Sequence, residues 1–277
     1  QPPVSLTKAV PAMGSVLTLT VWDADTAKAQ MAMDGAVEEV RSIEALSNPD
    51  DPKSELAVVN AAAGKGPVEV SEDFFALLKA GLDLAKDTNG WTDPTVGGLV
   101  RLWGFDQPLQ GETQSIPQAK LIEAAKRSVG YEKVLLDAAQ KTVSLSPGTR
   151  LDFGAFSRGY ALDRAAKAIQ EYDVRAVKLN LGDQWAFVGV SPEGAAWKVD
   201  VQDPQRPSQT VATFEVEQGA VSIRPDDERF FVFEGKRYSR IMDPRTGWPA
   251  RKTSLTALWS TSAAQADAWA NAMFIAG

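Results

Sequence analysis

The sequence predicts an α+β protein with a mixed, largely antiparallel sheet that is flanked by helices. Three observations lead to this prediction. Apolar residues recur at helical spacing in several segments, short apolar runs separated by turn residues fill much of the second half, and the two patterns interleave without a strict βαβ rhythm. The 277 residues suffice for one large domain or two small ones.

The first predicted elements are a strand and a long helix. Residues 15–22 alternate apolar residues with Thr, as a half-buried strand does, and residues 26–46 carry apolar side chains at helical spacing. Ser71 is a suitable N-cap for a second helix over 74–88, which an Asn-Gly pair ends. Further helices are predicted at 117–129, 159–172 and 263–275.

From residue 133 onward, short apolar runs between turn residues predict strands rather than helices, because each run is too short for a helix. No internal repeat and no low-complexity tract interrupts this pattern. The predicted strands cover 134–136, 143–145, 150–153, 177–181, 186–190, 211–216, 230–233, 237–242 and 255–259.

The composition excludes several kinds of active site. With no His and no Cys, the chain cannot build a Ser-His-Asp triad, a Cys nucleophile, or a zinc or iron–sulfur site of His and Cys ligands. Any chemistry must use carboxylates, hydroxyls, Lys, Arg, oxygen ligands or a cofactor. The formal charge of -7 and the pI near 4.9 argue against nucleic acid as the main partner. No apolar run approaches the roughly 18 residues of a membrane span.

Two glycine-containing loops are candidate ligand sites. Residues 88–98 fit a helix C-cap followed by an Asp-Pro turn, or a loop that brings Trp91 against a planar ligand. Residues 152–160 lead from a predicted strand into a helix, where unpaired N–H groups and the Arg158 guanidinium suit a phosphate. A tight strand-to-helix turn explains the second loop about as well.

Two later segments also carry polar residues in suggestive patterns. Residues 242–249 read as a turn after a strand, in which Asp243 and Thr246 bond to the local backbone. Asp267 and Asn271 are spaced i and i+4 on the last predicted helix, so both side chains point from one face. Two hard oxygen ligands on adjacent turns suit Mg²⁺, although such a pair is more often a solvated face.

Taken in chain order, these segments resemble the motifs of the ApbE family of periplasmic FAD:protein FMN transferases, over nearly the whole chain. Asp152 to Asp163 is similar to the family's Asp-Leu-Gly-Gly-Ile-Ala-Lys-Gly-Tyr-Ala-x-Asp signature, and Asp243 to Gly247 is similar to its Asp-Pro-x-Thr-Gly loop. The other matching segments are Met13 to Ser15, Ser54 to Asn60, Gly90 to Gly97, Leu102 to Phe105, Asn180 to Gly182 and Ala266 to Gly277.

The resemblance implies one ApbE-like domain over residues 1–277 and transfer of FMN from FAD, the substrate, onto a Thr or Ser of a target flavoprotein. It further implies that Mg²⁺ is present and that AMP is released. The implied location is the periplasm. Because the chain starts at Gln1 rather than Met, removal of an export signal and trimming both fit its start, and membrane association through a lost N-terminal segment stays open.

The resemblance also implies the site residues, position by position. The family's metal ligands correspond to the Ala155 carbonyl, Asp267 and Asn271. Its flavin and nucleotide contacts correspond to Met13, Trp91, Thr92, Asp93, Asp152, Arg158 and Ile241. The catalytic candidates are Asp243, a carboxylate that could take the acceptor's proton, and Arg240, which stands where the family has a His.

Several positions depart from the family pattern. The signature Lys is Arg158, the metal Thr is Asn271, and the segment 222–224, which ends in Arg224, stands in for Thr-Ser-Gly. At Arg240, a guanidinium cannot serve as a general base near neutral pH, whereas imidazole can. Two function classes follow: an active FMN transferase, which the sequence favours, and a catalytically weakened relative that binds FAD or a partner protein.

Overall fold

The computed structural model describes residues 3–107, 115–192, 194–226 and 229–277, and it confirms the predicted α+β fold. The chain forms two compact units, each built from separate stretches of sequence. Unit 1 comprises Gln1–Ala45, Phe156–Arg224 and Ala257–Ala270, and unit 2 comprises Leu46–Ala155, Pro225–Thr256 and Asn271–Gly277. A single domain over residues 1–277 stays a prediction.

Thirteen strands and seven helices follow one another along the described residues. In chain order they are β1 Val4–Ala12, β2 Ser15–Asp23, α1 Thr26–Ser47, α2 Glu55–Ala61, β3 Val68–Glu69, α3 Glu72–Asp87, α4 Gly97–Leu102, α5 Ala119–Lys126, β4 Val134–Asp137, β5 Thr142–Leu145, α6 Ser157–Gln170, β6 Ala176–Leu181, β7 Gln184–Gly189, β8 Trp197–Asp203, β9 Arg206–Val216, β10 Gly219–Pro225, β11 Phe230–Phe233, β12 Lys236–Ser239, β13 Leu255–Ser260 and α7 Ala263–Ala276.

A six-stranded sheet organises unit 1, with the strand order β1-β2-β6-β7-β10-β13. The pairs from β1 to β10 are antiparallel, as the alternating sequence pattern predicts. Leu17, Leu19 and Val21 of β2 are fully buried, and the Thr residues between them are partly exposed. One face of the sheet therefore forms the core of the unit.

Helices α1 and α6 cover this core. Ala32, Val40 and Ile43 of α1 are fully buried, as is Leu162 of α6, and α6 packs on β6 and β7. At Gly159, near the start of α6, an added Cβ would lie 2.9 Å from the Ala264 Cα, so glycine permits close packing there. Within the described part of the chain, no helix is both long and apolar enough to cross a membrane.

Unit 2 contains a small three-stranded sheet, ordered β3-β5-β4, the hairpin β11-β12, and an aromatic core. The Trp103 ring stacks on Tyr238 with centroids 5.7 Å apart and meets Trp248 edge-on at 5.1 Å. The Trp103 indole N–H donates to the Gly247 carbonyl at 3.0 Å. This core therefore fixes the loop that contains Asp243 to Gly247.

Most predicted elements are confirmed to within a few residues, and Ser71 caps α3 as expected. The strand predicted over 150–153 is wrong: only a bridge between Val96 and Arg150 forms there, because the Leu151 N–H bonds to a side chain instead of a neighbouring strand. The strand predicted over 237–242 ends earlier, as β12. Sequence reasoning missed β1, α2, β3, α4, β8 and β10.

Candidate functional site

The start of α6 brings together two predicted nucleotide contacts in unit 1. Arg158, in the first turn of α6, donates from its guanidinium to the Met13 carbonyl at 3.4 Å. Met13 lies in the turn between β1 and β2, where its φ of 50° and the 70° of Gly14 fit a two-residue hairpin turn. The Met13 N–H donates to Glu44 at 2.6 Å, which fixes this turn against α1.

Asp267 of α7 is completely buried, and both of its carboxylate oxygens accept hydrogen bonds within unit 1. The Arg224 guanidinium donates to Oδ1, and the Gly159 N–H donates to Oδ2 at 3.2 Å. Arg224 lies near the end of β10, and its side chain is only 9% exposed. A predicted metal ligand is therefore one half of a buried ion pair.

The positive charge of Arg224 favours the ionised form of Asp267. Burial raises the pKa of the Asp267 carboxyl, while the Arg224 guanidinium, the Gly159 N–H and the charge of Arg158 act in the opposite direction. Because an arginine side chain stays protonated in proteins, Arg224 supplies a permanent positive charge to this carboxylate. Removing one partner of a buried pair typically costs about 3–5 kcal/mol, since the other charge is left uncompensated.

This arrangement does not fit an additional magnesium ion. Mg²⁺ takes carboxylate oxygens as ligands and demands near-octahedral geometry, but both Asp267 oxygens already face N–H donors. Among the residues that the structure describes, no cluster of three or more Asp, Glu, His or Cys residues offers another metal site. Magnesium binding at Ala155, Asp267 and Asn271 stays a prediction from the sequence.

Asn271 lies one turn further along α7 and belongs to unit 2. Its amide nitrogen donates to the Thr92 hydroxyl at 3.1 Å, and both residues are buried. The Thr92 N–H in turn donates to the Thr88 hydroxyl at 3.2 Å. One hydrogen bond thus joins Asn271, a predicted metal ligand, to Thr92, a predicted flavin contact. Ala155, the third predicted metal ligand, lies half-buried in the turn before α6.

The Asp93 carboxylate accepts hydrogen bonds from other residues of unit 2. Its Oδ1 accepts from the N–H and the hydroxyl of Thr95 at 2.8 and 2.6 Å, and its Oδ2 accepts from the Tyr131 N–H at 2.9 Å. Burial raises the pKa of Asp93, and the bonds from Thr95 and Tyr131 oppose that shift. These contacts give Asp93 a structural role, and flavin contact by Asp93 stays a prediction.

Arg240, which stands at the position of the family's His, forms an ion pair with Asp152 in unit 2. The guanidinium nitrogen lies 2.6 Å from the Asp152 Oδ2, and Oδ1 accepts from the Gly154 N–H at 2.8 Å. A Cβ on Gly154 would lie 3.1 Å from the Arg240 guanidinium, so the loop closes tightly over the pair. The structure therefore pairs Arg240, a predicted catalytic residue, with Asp152, a predicted nucleotide contact.

Asp243, the second catalytic candidate, is bound by Arg245. The Arg245 Nε and Nη2 lie 3.0 Å from the two carboxylate oxygens, and the Arg245 N–H donates at 2.9 Å. Partial burial raises the pKa of Asp243, but the Arg245 guanidinium and N–H outweigh burial and lower it overall. Asp243 is therefore ionised at neutral pH and a weaker base than an unpaired carboxylate.

Trp91 and Ile241, two predicted flavin contacts, pack on one cluster in unit 2 with Ala250, Phe274 and Ile275. The Arg245 guanidinium lies 3.1 Å from the centre of the Trp91 ring. A cavity of about 790 Å³ adjoins Trp91 and is lined by more cations than carboxylates. The cations are Lys236, Arg237, Arg245, Arg251 and Lys252, and the carboxylates are Asp226 and Asp243. This excess of positive charge suits an anionic ligand.

Sequence reasoning treated Arg224 only as a departure from the family pattern and gave it no partner. A signal was present: Arg224 is the one charged residue in the sequence of β10, and Asp267 is the one charged residue in the sequence of α7. Charged side chains are rarely buried unless they are paired, so two isolated opposite charges in apolar elements predict each other.

Solved structures share this fold. The crystal structure of the ApbE protein from Thermotoga maritima superposes with a TM-score of 0.90 at 30% identity, over 98% of this chain and 87% of that chain. The flavin transferase ApbE from Vibrio cholerae has a TM-score of 0.84 at 23% identity, over 99% of this chain and 87% of its own. The second likeness concerns the fold alone.

The ApbE family model matches residues 13–277, and this chain therefore belongs to the ApbE family. A Treponema pallidum protein named FAD:protein FMN transferase is 30% identical over 247 residues, covering 83% of this chain and 67% of that protein. A Rhodobacter capsulatus protein of the same name is 34% identical over 235 residues, covering 80% of this chain and 42% of its own length. The chain spans less than half of this second relative.

Proposed function

We propose that this chain is a FAD:protein FMN transferase, which moves FMN from FAD onto a Thr or Ser hydroxyl of a target flavoprotein and releases AMP. The periplasm is its proposed location. The observation that carries the proposal is the start of α6 in unit 1, where residues 156–163 of the ApbE-like signature form the first turns of a 14-residue helix and include the Arg158 guanidinium. Such a helix start favours a phosphate ligand.

The proposed reaction is a displacement at the phosphorus of the FMN half of FAD. The acceptor oxygen forms a bond to this phosphorus, the bond from phosphorus to the bridging pyrophosphate oxygen breaks, and AMP leaves with that oxygen. The acceptor proton passes to a carboxylate or to water. Because the transition state spreads negative charge over the phosphoryl oxygens, the main task of the protein is to position fixed cations and N–H groups.

In unit 1, the proposal assigns this electrostatic work to Arg158 and to the N–H groups of the first turn of α6 other than that of Gly159, which donates to Asp267, with the Met13 carbonyl accepting from Arg158. A guanidinium offers two parallel donors to a phosphate, and it keeps the positive charge of the Lys in the family signature. No step of the proposed reaction passes through magnesium, because the Asp267 carboxylate already forms an ion pair with Arg224.

In unit 2, the proposal assigns Trp91 and Ile241 to apolar contact with the flavin, and Thr92, Asp93 and Asp152 to the polar edge of the ligand. An aromatic ring offers a flat apolar surface to another ring system. The cationic cavity beside Trp91 suits the negative charge of a nucleotide.

The proposed reaction requires the acceptor hydroxyl to lose its proton. Asp243 is the candidate base, but its pairing with Arg245 lowers its pKa and so its basicity. Loss of the proton to water late in a loose transition state is the other route. General-base help is worth roughly 10²- to 10⁴-fold, so we expect transfer that is slow yet measurable.

The second candidate function is a relative that binds FAD or a partner protein without transferring FMN. The ion pair between Arg240 and Asp152 favours it, since a paired guanidinium replaces the imidazole of the family at that position. This candidate needs the ligand contacts but no acceptor site.

The two candidates are separated by incubating the purified chain with FAD and an acceptor domain that a related transferase modifies. In-gel flavin fluorescence then reports covalent FMN. We expect slow labelling by the wild type and faster labelling by Arg240→His, with Arg206→His, at an exposed surface ion pair, as the matched control. If wild type and Arg240→His both bind FAD but neither labels the acceptor, the binding function replaces the transferase.

A further inference from the structure

We infer that the Arg224 guanidinium takes the place of a divalent cation at Asp267, so that this chain binds the pyrophosphate of FAD without magnesium. The part about FAD rests on the proposed function. The part about the cation rests on the buried pair itself and is tested separately.

The first support is the position of Arg224 in the chain. By the resemblance, the segment 222–224 stands in for the Thr-Ser-Gly of the family pattern, and its last residue here is Arg224. The family pattern has no charged residue in this segment, so it supplies no side-chain cation to a neighbouring carboxylate. Arg224 supplies such a cation, and its guanidinium reaches Asp267.

The second support is the geometry of the pair. The Arg224 guanidinium donates to the Oδ1 of Asp267, an oxygen that a metal ion would otherwise take as a ligand. The Gly159 N–H occupies Oδ2 at 3.2 Å. Asp267 is fully buried and the Arg224 side chain is 9% exposed, so water does not weaken the pair as it weakens a surface ion pair.

The third support is the charge that the pair leaves at the start of α6. Magnesium on one carboxylate would leave a net charge of about +1, whereas the pair of Arg224 and Asp267 is neutral. Arg158, in the first turn of α6, retains the positive charge of the signature Lys, and by the proposed function this charge faces the phosphates. The inferred site therefore keeps phosphate binding but supplies less positive charge to the transition state.

The first experiment measures thermal unfolding of the full chain in EDTA and in about 10 mM MgCl₂, without FAD. We expect no Mg²⁺-dependent shift in the wild type. Arg224→Gly is expected to unfold at a lower temperature in EDTA and to gain stability with Mg²⁺, because an ion that binds only the folded state stabilises it. The double variant with Asp267→Asn, which lacks the carboxylate, is the matched control and gains nothing from Mg²⁺.

Saturable stabilisation of the wild type by Mg²⁺ would overturn the inference. A folded Arg224→Gly whose unfolding temperature does not change with Mg²⁺ would also overturn it. If Arg224→Gly does not fold, the result with the wild type and calorimetric titration of the wild type with MgCl₂ decide the matter. Binding of Mg²⁺ to the wild type contradicts the inference, and its absence supports it.

The second experiment measures FAD binding to the wild type by flavin fluorescence, in EDTA and in Mg²⁺. We expect the two dissociation constants to agree within about twofold, and tightening by about tenfold or more with Mg²⁺ would contradict the inference. If FAD binds in neither buffer, the proposed function fails, while the unfolding experiment still decides what Arg224 does.

Discussion

The Asp163 carboxylate on α6 caps the start of α7. Its Oδ1 accepts from the Ala263 N–H at 2.7 Å, and its Oδ2 accepts from the Ser262 hydroxyl at 2.7 Å and the Ala264 N–H at 3.0 Å. The first N–H groups of a helix lack partners within the helix, so these bonds satisfy groups that would otherwise need water. Asp163 closes the ApbE-like signature, and its contact fixes the first turn of the helix that carries Asp267.

We predict that Asp163→Ala lowers the free energy of unfolding by about 1–2 kcal/mol, the usual loss when a helix cap is removed. Denaturant titration checks this value. Asp83→Ala is the control, because Asp83 pairs with Lys79 at the surface and the loss of such a pair costs at most about 1 kcal/mol. Equal losses in the two variants would show that the cap contributes nothing of its own.

Asp93 predicts an unusual pH dependence of stability. Burial raises its pKa above the unfolded value of about 3.9, so the folded state binds the proton more tightly. The contribution of this group is fully present below the unfolded pKa and is lost as the pH rises through the folded pKa. We therefore expect the stability of the wild type relative to Asp93→Asn to fall as the pH rises from about 4 through the pKa of Asp93 in the folded protein.

Asp203→Asn is the matched control for this measurement. The pKa of Asp203 is lowered, first by the Gln205 N–H, so its contribution appears above the unfolded pKa and is lost on acidification. The stability of the wild type relative to Asp203→Asn is expected to change in the opposite direction. A difference for Asp93→Asn that stays flat or rises with pH would refute the assigned shift.

The rate of FMN transfer is predicted to show no side-chain titration between about pH 6 and 8. The chain contains no His, and Asp243, with its lowered pKa, is ionised throughout that range. Arg240→His is expected to add a rise in kcat/KM with increasing pH near about 6.5, because only the neutral imidazole accepts a proton. A wild-type profile that already rises there would mean that another group acts as the base.

Trp91→Ala is predicted to weaken FAD binding by roughly 2- to 13-fold, which corresponds to the 0.5–1.5 kcal/mol that aromatic contacts add beyond buried area. Flavin fluorescence measures the change. Trp259→Ala is the control, because that ring is 46% exposed in unit 1 and carries no proposed contact. The assignment of Trp91 fails if both variants bind FAD as the wild type does.

Local patterns predicted most of the fold. Long helices such as α1 and α3 are predictable from apolar spacing and caps, because these signals depend on residues close together in the chain. β1 was missed because prolines near its ends suggested irregular chain, yet β1 is an edge strand, where Pro11 opposite Val16 is tolerated. The loop at 150–153 was misread because its backbone bonds to the Asn60 side chain, 91 residues away in the chain.

The site was harder to predict than the fold, because its contacts join residues that are far apart in the sequence. The resemblance named Asp152, Arg240 and Asp267 but not the partners that neutralise them. Arg240 bonds across 88 residues and Arg224 across 43, and neither distance is visible in a local pattern. Only the requirement that buried charges be paired would have pointed to Arg224.

The stoichiometry of one round of transfer tests the proposed reaction most directly. Full chain, FAD and an acceptor domain are incubated in EDTA, with AMP measured by chromatography and the mass of the acceptor measured in the same sample. We predict one AMP released for each acceptor that gains one FMN, without added metal. FAD left intact, or AMP released while the mass of the acceptor stays unchanged, would contradict this prediction.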